Sequence, residues 1–185
     1  MPQTKGAAVQ LAKKLDATTS IVPRFDLISA YLQQRQYKPA LEVLQRFGDT
    51  TNSDARLRDW RGVAKIGIGE TTDGLADLRA AAELAPGIPD FHLNLGAVLH
   101  RLHRDSEAIA PLTHAIELRP NFAMALIIRA ETFVALDRRN EAIADLRRAL
   151  EVDPRQKSAY GLIARLLKES GEDAEAARWL RRAPQ

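Results

Sequence analysis

Ala82-Glu83-Leu84-Ala85-Pro86, Ile116-Glu117-Leu118-Arg119-Pro120 and Leu150-Glu151-Val152-Asp153-Pro154 are three versions of one segment, spaced 34 residues apart. Other positions hold the same phase: Leu78, Leu112 and Leu146, and Ala81, Ala115 and Ala149. Ala108, Ala142 and Ala176 hold a third phase, in which the preceding period has Gly74. Gly62, Gly96, Ala130 and Ala164 hold a fourth. A fixed period of 20–50 residues is the mark of a repeat architecture, in which each unit buries its apolar face against its neighbours.

Each period predicts two amphipathic helices. Over 123–136, Leu126, Ala130, Phe133 and Val134 follow the i, i+4, i+7 spacing of one helix face. Over 139–152, Ala142, Ile143, Leu146, Ala149 and Leu150 do the same. The polar turn Asp137-Arg138-Arg139-Asn140 separates them, and Asn140 is expected to cap the second helix, with Ser106 and Thr72 in the same phase. Pro154 ends the second helix, because proline has no N–H to donate and pushes Asp153 out of helical geometry. The small residues in each helix let the two axes cross closely, and a large side chain there would cost about 1–3 kcal/mol through overpacking.

The period of 34, small residues at repeat positions 8, 20 and 27 and proline at position 32 resemble the tetratricopeptide repeat. The resemblance covers repeats 21–54, 55–88, 89–122 and 123–156 and a shorter fifth, 157–185. It implies an all-α, right-handed superhelical α-solenoid of antiparallel helix pairs, with about ten helices. Departures collect at the front. Repeat 21–54 keeps Tyr31, Tyr37 and Ala40 but has Ile28 at the small position and Asn52 in place of proline, which predicts less regular stacking. Residues 5–17 place Ala8, Leu11, Ala12 and Leu15 on one face, and residues 1–20 are expected to form a capping helix over the first repeat.

The totals narrow the function classes. Lys plus Arg is 27 against 24 Asp plus Glu, a net charge of +3. Arg138-Arg139, Arg147-Arg148 and Arg181-Arg182 alternate with Asp137, Glu141 and Asp145, acids within i,i+4 reach that offset them. No aromatic residues are interleaved for base stacking, so no nucleic-acid partner is expected. There is no cysteine, hence no disulfide or thiolate chemistry. No stretch has the length and apolarity of a membrane span and no signal-peptide pattern opens the chain, so no membrane partner and a cytoplasmic location are expected.

No catalytic or cofactor constellation stands out. Gly67-Ile68-Gly69 lacks the GKS/T that a phosphate loop needs and falls at the turn between helices. His100 and His103 are three apart on a helix, but Arg101 and Arg104 flank them and no third ligand is evident, so no metal is expected. His92 sits at an interior phase and reads as a packed, hydrogen-bonded side chain. No Ser/His/Asp grouping or nucleophile elbow appears.

What remains is binding. The resemblance implies a concave surface, lined mainly by the first helix of each repeat, that holds a peptide or helix of a partner protein. In this register it offers Phe25 and Ser29, then Arg56 and Asp59, then Asp90, Leu93, Ala97, His100 and Arg101. Repeat four offers Met124, Ile127 and Glu131, and repeat five Arg165 and Lys168. Met124 and Ile127 are expected to form an apolar anchor patch. The phases that clamp a chaperone C-terminal carboxylate in one subfamily hold Phe25, Ser29, Trp60, Met124 and Ile128 here, with only Asn94 of the right type, so no such clamp is expected.

The last repeat has no following helix to solvate it, and Ala164, Leu167, Trp179 and Leu180 are expected to be partly open there. A homo-oligomer through that end follows as one expectation. The main expectation is a non-catalytic interaction scaffold without cofactors. The competing one is an N-terminal regulatory or targeting segment of a larger bacterial transferase, such as a sulfotransferase or glycosyltransferase.

Overall fold

The computed structural model describes residues 21–184. The expected capping helix at 5–17 lies outside them. The described residues form helices and connecting turns, in two compact units that divide after Ala85.

The first unit runs α1 (Ile21–Gln33), α2 (Tyr37–Gln45), α3 (Thr50–Ser53), α4 (Ala55–Gly67) and α5 (Thr71–Leu84). The second runs α6 (Pro89–Arg101), α7 (Asp105–Leu118), α8 (Ala123–Ala135), α9 (Arg139–Val152), α10 (Lys157–Glu169) and α11 (Asp173–Arg182). First helices of successive repeats therefore begin at 21, 55, 89, 123 and 157, and second helices at 37, 71, 105, 139 and 173, in step with the 34-residue period. Five helix pairs result, as the repeat predicts; the eleventh helix among the described residues is the single turn α3.

The small residues sit where the helices cross. A Cβ on Gly62 of α4 would lie 2.8 Å from both the Gly74 carbonyl oxygen and Leu78 Cγ of α5. A Cβ on Gly74 would in turn meet Ile66, so the pair runs antiparallel. Gly96 of α6 has the same relation to Leu112 of α7, at 2.5 Å. In the next pair Ala130 and Ala142 hold these two phases, and both are fully buried. Leu78, Leu112 and Leu146 are fully buried too, each worth roughly 1.5–3 kcal/mol of hydrophobic stabilisation.

Every hairpin turns by the same device. Arg35, Gly69, His103, Asp137 and Gly171 all have positive φ, between 55° and 95°. The next residue's N–H then donates to the carbonyl five back: Gln36 to Tyr31, Glu70 to Lys65, Arg104 to Leu99, Arg138 to Phe133 and Glu172 to Leu167, at 2.8–2.9 Å. This left-handed turn ends the first helix and satisfies one of its orphan carbonyls.

Two expectations about the helix ends need correction. Asn140, Ser106 and Thr72 do not cap: α9, α7 and α5 begin at Arg139, Asp105 and Thr71, and the cap positions Arg138, Arg104 and Glu70 make no side-chain cap hydrogen bond. The left-handed residue reverses the chain so quickly that each helix starts two residues earlier than a cap at those positions would place it. Arg138 and Arg104 instead reach forward to Glu141 and Glu107, three residues on. At the far end, Ala164, Leu167 and Trp179 are buried and only Leu180 is open, at 48%. Trp179 packs on Tyr160 of α10 at 6.1 Å, Arg182 lies 4.5 Å over its ring, and its indole N–H donates to Glu175. The last pair thus covers its own apolar face except at Leu180.

The first repeat departs where its sequence does. α2 is a nine-residue helix where α5, α7 and α9 have fourteen. Gly48 takes a left-handed conformation, and α3 fills the place of the proline turn.

Candidate functional site

In the second unit, α6, α8 and α10 line a cleft of ≈ 430 Å³. α8 contributes Ile127, Glu131 and Val134, spaced i, i+4, i+7 so that they share one face. α10 contributes Ser158, Ala159, Gly161, Leu162 and Arg165, and α6 contributes His100 near its C-terminus. Ile127 is 5% exposed and forms floor rather than rim, with its flank held in the core of this unit. Val134 and Leu162 are half-buried and pack against the same core.

The polar groups carry both signs. Arg165 is largely exposed, with its Nε 3.9 Å from Glu169 one turn along. Glu131 stands across the cleft wall on α8. His100 Nδ1 lies 2.6 Å from an Asp105 carboxylate oxygen. A carboxylate can only accept, so Nδ1 carries the hydrogen and Nε2 is the ring's remaining polar atom. Asp105 thereby fixes the orientation of a side chain that lines the cleft.

Of the fourteen residues expected on the binding surface, His100, Ile127, Glu131 and Arg165 meet in this cleft. Met124 lies one turn before Ile127 on α8 and is 46% exposed. Arg101 and Lys168 are exposed, Ala97 is half-buried, and Leu93 is half-buried against the core. Asp90 is exposed and engaged, accepting from Arg119 at 2.7 Å. In the first unit the picture differs. Asp59 is 3% exposed and so is not presented to solvent. α1 packs over this part of α4, with the Phe25 ring 5.5 Å from Trp60 and 5.6 Å from Phe47, and Arg56 5.9 Å over it. Phe25 is thus part of an aromatic cluster, while Ser29 is half-buried on α1 and hydrogen-bonds Gln33.

Two features escaped the sequence reading. Gly161 occupies the groove phase of repeat five, and a glycine inside a helix was the available signal. A second cleft, of ≈ 520 Å³, opens in the first unit where α2 stops short, with Leu41, Leu44 and Ile68 among its walls. At its base Arg61 and Lys65 both engage Asp77, which is 5% exposed. Burial alone would raise the Asp77 pKa, but the bonds from Arg61 and Lys65 outweigh it and hold the carboxyl below its ordinary value. Lys38, Arg61 and Lys65 line this cleft with Glu42 and Glu70, and Asp77 at its base supplies the third acid, so the charges balance.

The sequence profile of the Tetratricopeptide repeat matches residues 61–121 and 129–185. The chain belongs to the tetratricopeptide repeat family. Among solved structures, it is similar to a crystal structure of MamA, at 17% identity over 84% of this chain and 91% of that one, with a TM-score of 0.75. MamA residues 41 to the end from Desulfovibrio magneticus RS-1 align at 16% identity over 86% and 90%, TM-score 0.75. MamA AMB-1 aligns at 21% identity over 85% and 94%, TM-score 0.74. At such identities the likeness concerns the fold. No curated protein matches the sequence.

Proposed function

We propose that this tetratricopeptide repeat chain is a non-catalytic scaffold that holds a segment of a partner protein in the α6/α8/α10 cleft. Family membership supports the broader statement, a protein-interaction scaffold. The observation that carries the finer one is the composition of the cleft. An apolar floor of Ile127, Val134 and Leu162 is flanked by Glu131 and Arg165, charges of opposite sign on facing helices. Apolar anchors give affinity when they displace water, and flanking charges give orientation and reject wrong partners. Helices built into the stack hold these groups in place, so little order has to be gained on binding.

The test is affinity capture from native lysate with the wild-type chain, a Glu131→Arg/Arg165→Glu variant, and Glu151→Arg as a surface control on α9. Circular dichroism establishes that all three are equally helical. A partner kept by the control and lost by the double variant supports the cleft. A partner kept by all three removes the cleft from the interaction.

A further inference from the structure

Apart from Gly67 at the very end of α4, four glycines lie inside helices of the repeat pairs: Gly62, Gly74, Gly96 and Gly161. A mid-helix glycine is destabilising relative to alanine, so its presence calls for a steric reason. For three of them the reason is in the fold. A Cβ on Gly62 would meet Leu78, one on Gly74 would meet Ile66, and one on Gly96 would meet Leu112, each on the partner helix of its own pair. Around Gly161 nothing lies within 4 Å of a Cβ. That open position lines the cleft beside Leu162, in the same lining as the charged groups Glu131 and Arg165.

Resting on the cleft as the binding site, we infer that its occupant is an amphipathic helix of a partner protein, which seats a leucine-like side chain over Gly161. The contact reproduces the crossings this chain already makes, in which Leu78 lies on Gly62 and Leu112 on Gly96. A helix brings apolar residues at i, i+3 or i+4 onto one face, and the floor of Ile127, Val134 and Leu162 accepts such a stripe. Its polar edges carry a base toward Glu131 and an acid toward Arg165, which sets one of the two chain directions. Removing the Cβ at 161 lets the incoming axis approach α10 as closely as paired helices within a repeat approach each other. An extended peptide needs no such approach, because its side chains alternate outward and reach a groove without close packing of two backbones.

Two displayed peptide libraries test this, one built on a helical framework and one with prolines that keep the peptide extended. Both are selected on the full wild-type chain and counter-screened on Gly161→Leu and Arg165→Glu. The expected result is enrichment from the helical library of binders that lose about tenfold or more in affinity on Gly161→Leu, the scale of a filled side-chain pocket. Glu151→Arg on α9 serves as the folded reference, and Gly161→Ala, which returns a Cβ to the contact, should weaken the same binders by less than Gly161→Leu. Binders from the extended library alone that respond to Arg165→Glu overturn the helix while leaving the cleft in place. Helical binders indifferent to Gly161→Leu also overturn it. Absence of any binder that responds to Arg165→Glu overturns both the helix and the cleft.

Discussion

Arg129 grips Asp145 with two parallel hydrogen bonds, Nε to Oδ2 at 2.7 Å and Nη2 to Oδ1 at 2.8 Å. Two periods earlier Arg61 grips Asp77 in the same way, first helix to second helix within one pair. In the intervening pair the two positions are Leu95 and Pro111, and in the last pair Ile163 and Trp179, so apolar residues stand there in place of the ion pair. Both aspartates are nearly excluded from solvent, at 5% and 6% exposure, whereas the arginines are half-buried.

Asp77→Asn and Asp145→Asn are each expected to destabilise the chain by on the order of 1–3 kcal/mol, since a partly buried guanidinium loses its charged acceptor. Urea denaturation followed by circular dichroism measures this. For Asp77 the pH dependence is fixed by sign. Its folded-state pKa lies below the unfolded value, so its contribution is present above about pH 4 and is lost as pH falls through the folded pKa. The Asp77→Asn variant should therefore show a shallower loss of stability on acidification than wild type; parallel acid limbs would contradict this account.

The left-handed turns set up an opposite expectation. His103 and Asp137 adopt φ 56° with side chains that resist it. Replacing either with glycine, as Gly69 and Gly171 already provide, should stabilise the chain by about 1 kcal/mol. A rise in the denaturation midpoint with an unchanged slope is the signature to look for. Exchanging Gly69 for alanine should do the reverse.

Gly96 and Gly161 should respond oppositely to the same mutation. Gly96→Ala drives a methyl group into Leu112 and is expected to cost about 1–3 kcal/mol. Gly161→Ala meets open space and is expected to gain about 0.5–1 kcal/mol from helix propensity. Thermal melts of the two single variants side by side decide the matter.

Arg165→Glu separates binding from folding. Its side chain is 61% exposed and Glu169 stands 3.9 Å away, so the change in stability should stay within about 0.5 kcal/mol. Partner capture through the cleft should nevertheless fall, and titration calorimetry against whatever partner emerges would give the size of the loss.

The repeat period, the five helix pairs and the small residues at their crossings were legible because each follows from a residue type whose backbone or volume allows few alternatives. The proline ladder ended the second helices, and the Gly/Ala phases marked where axes meet. Helix starts were less legible. Asn140, Ser106 and Thr72 have the right chemistry to cap, but where a helix begins depends on the φ of the residue two or three before it, and neither His103 nor Asp137 announces a left-handed turn as glycine does. Asp59 was assigned to a groove by phase, whereas burial depends on which neighbouring helix lies across that phase. The covering of Trp179 by Tyr160 and Arg182 depended on rotamers that periodicity does not encode.

The ties that join neighbouring helix pairs in the second unit are short in sequence: Arg148 to the Pro120 carbonyl, Arg147 to Glu175 and Arg139 to Glu169. Each spans less than one period. Forming such contacts requires only small loops to close, so their entropic cost is low and folding should be fast for a chain of this size. Loss of structure should likewise spread pair by pair, with amide exchange graded along the unit instead of governed by one global opening.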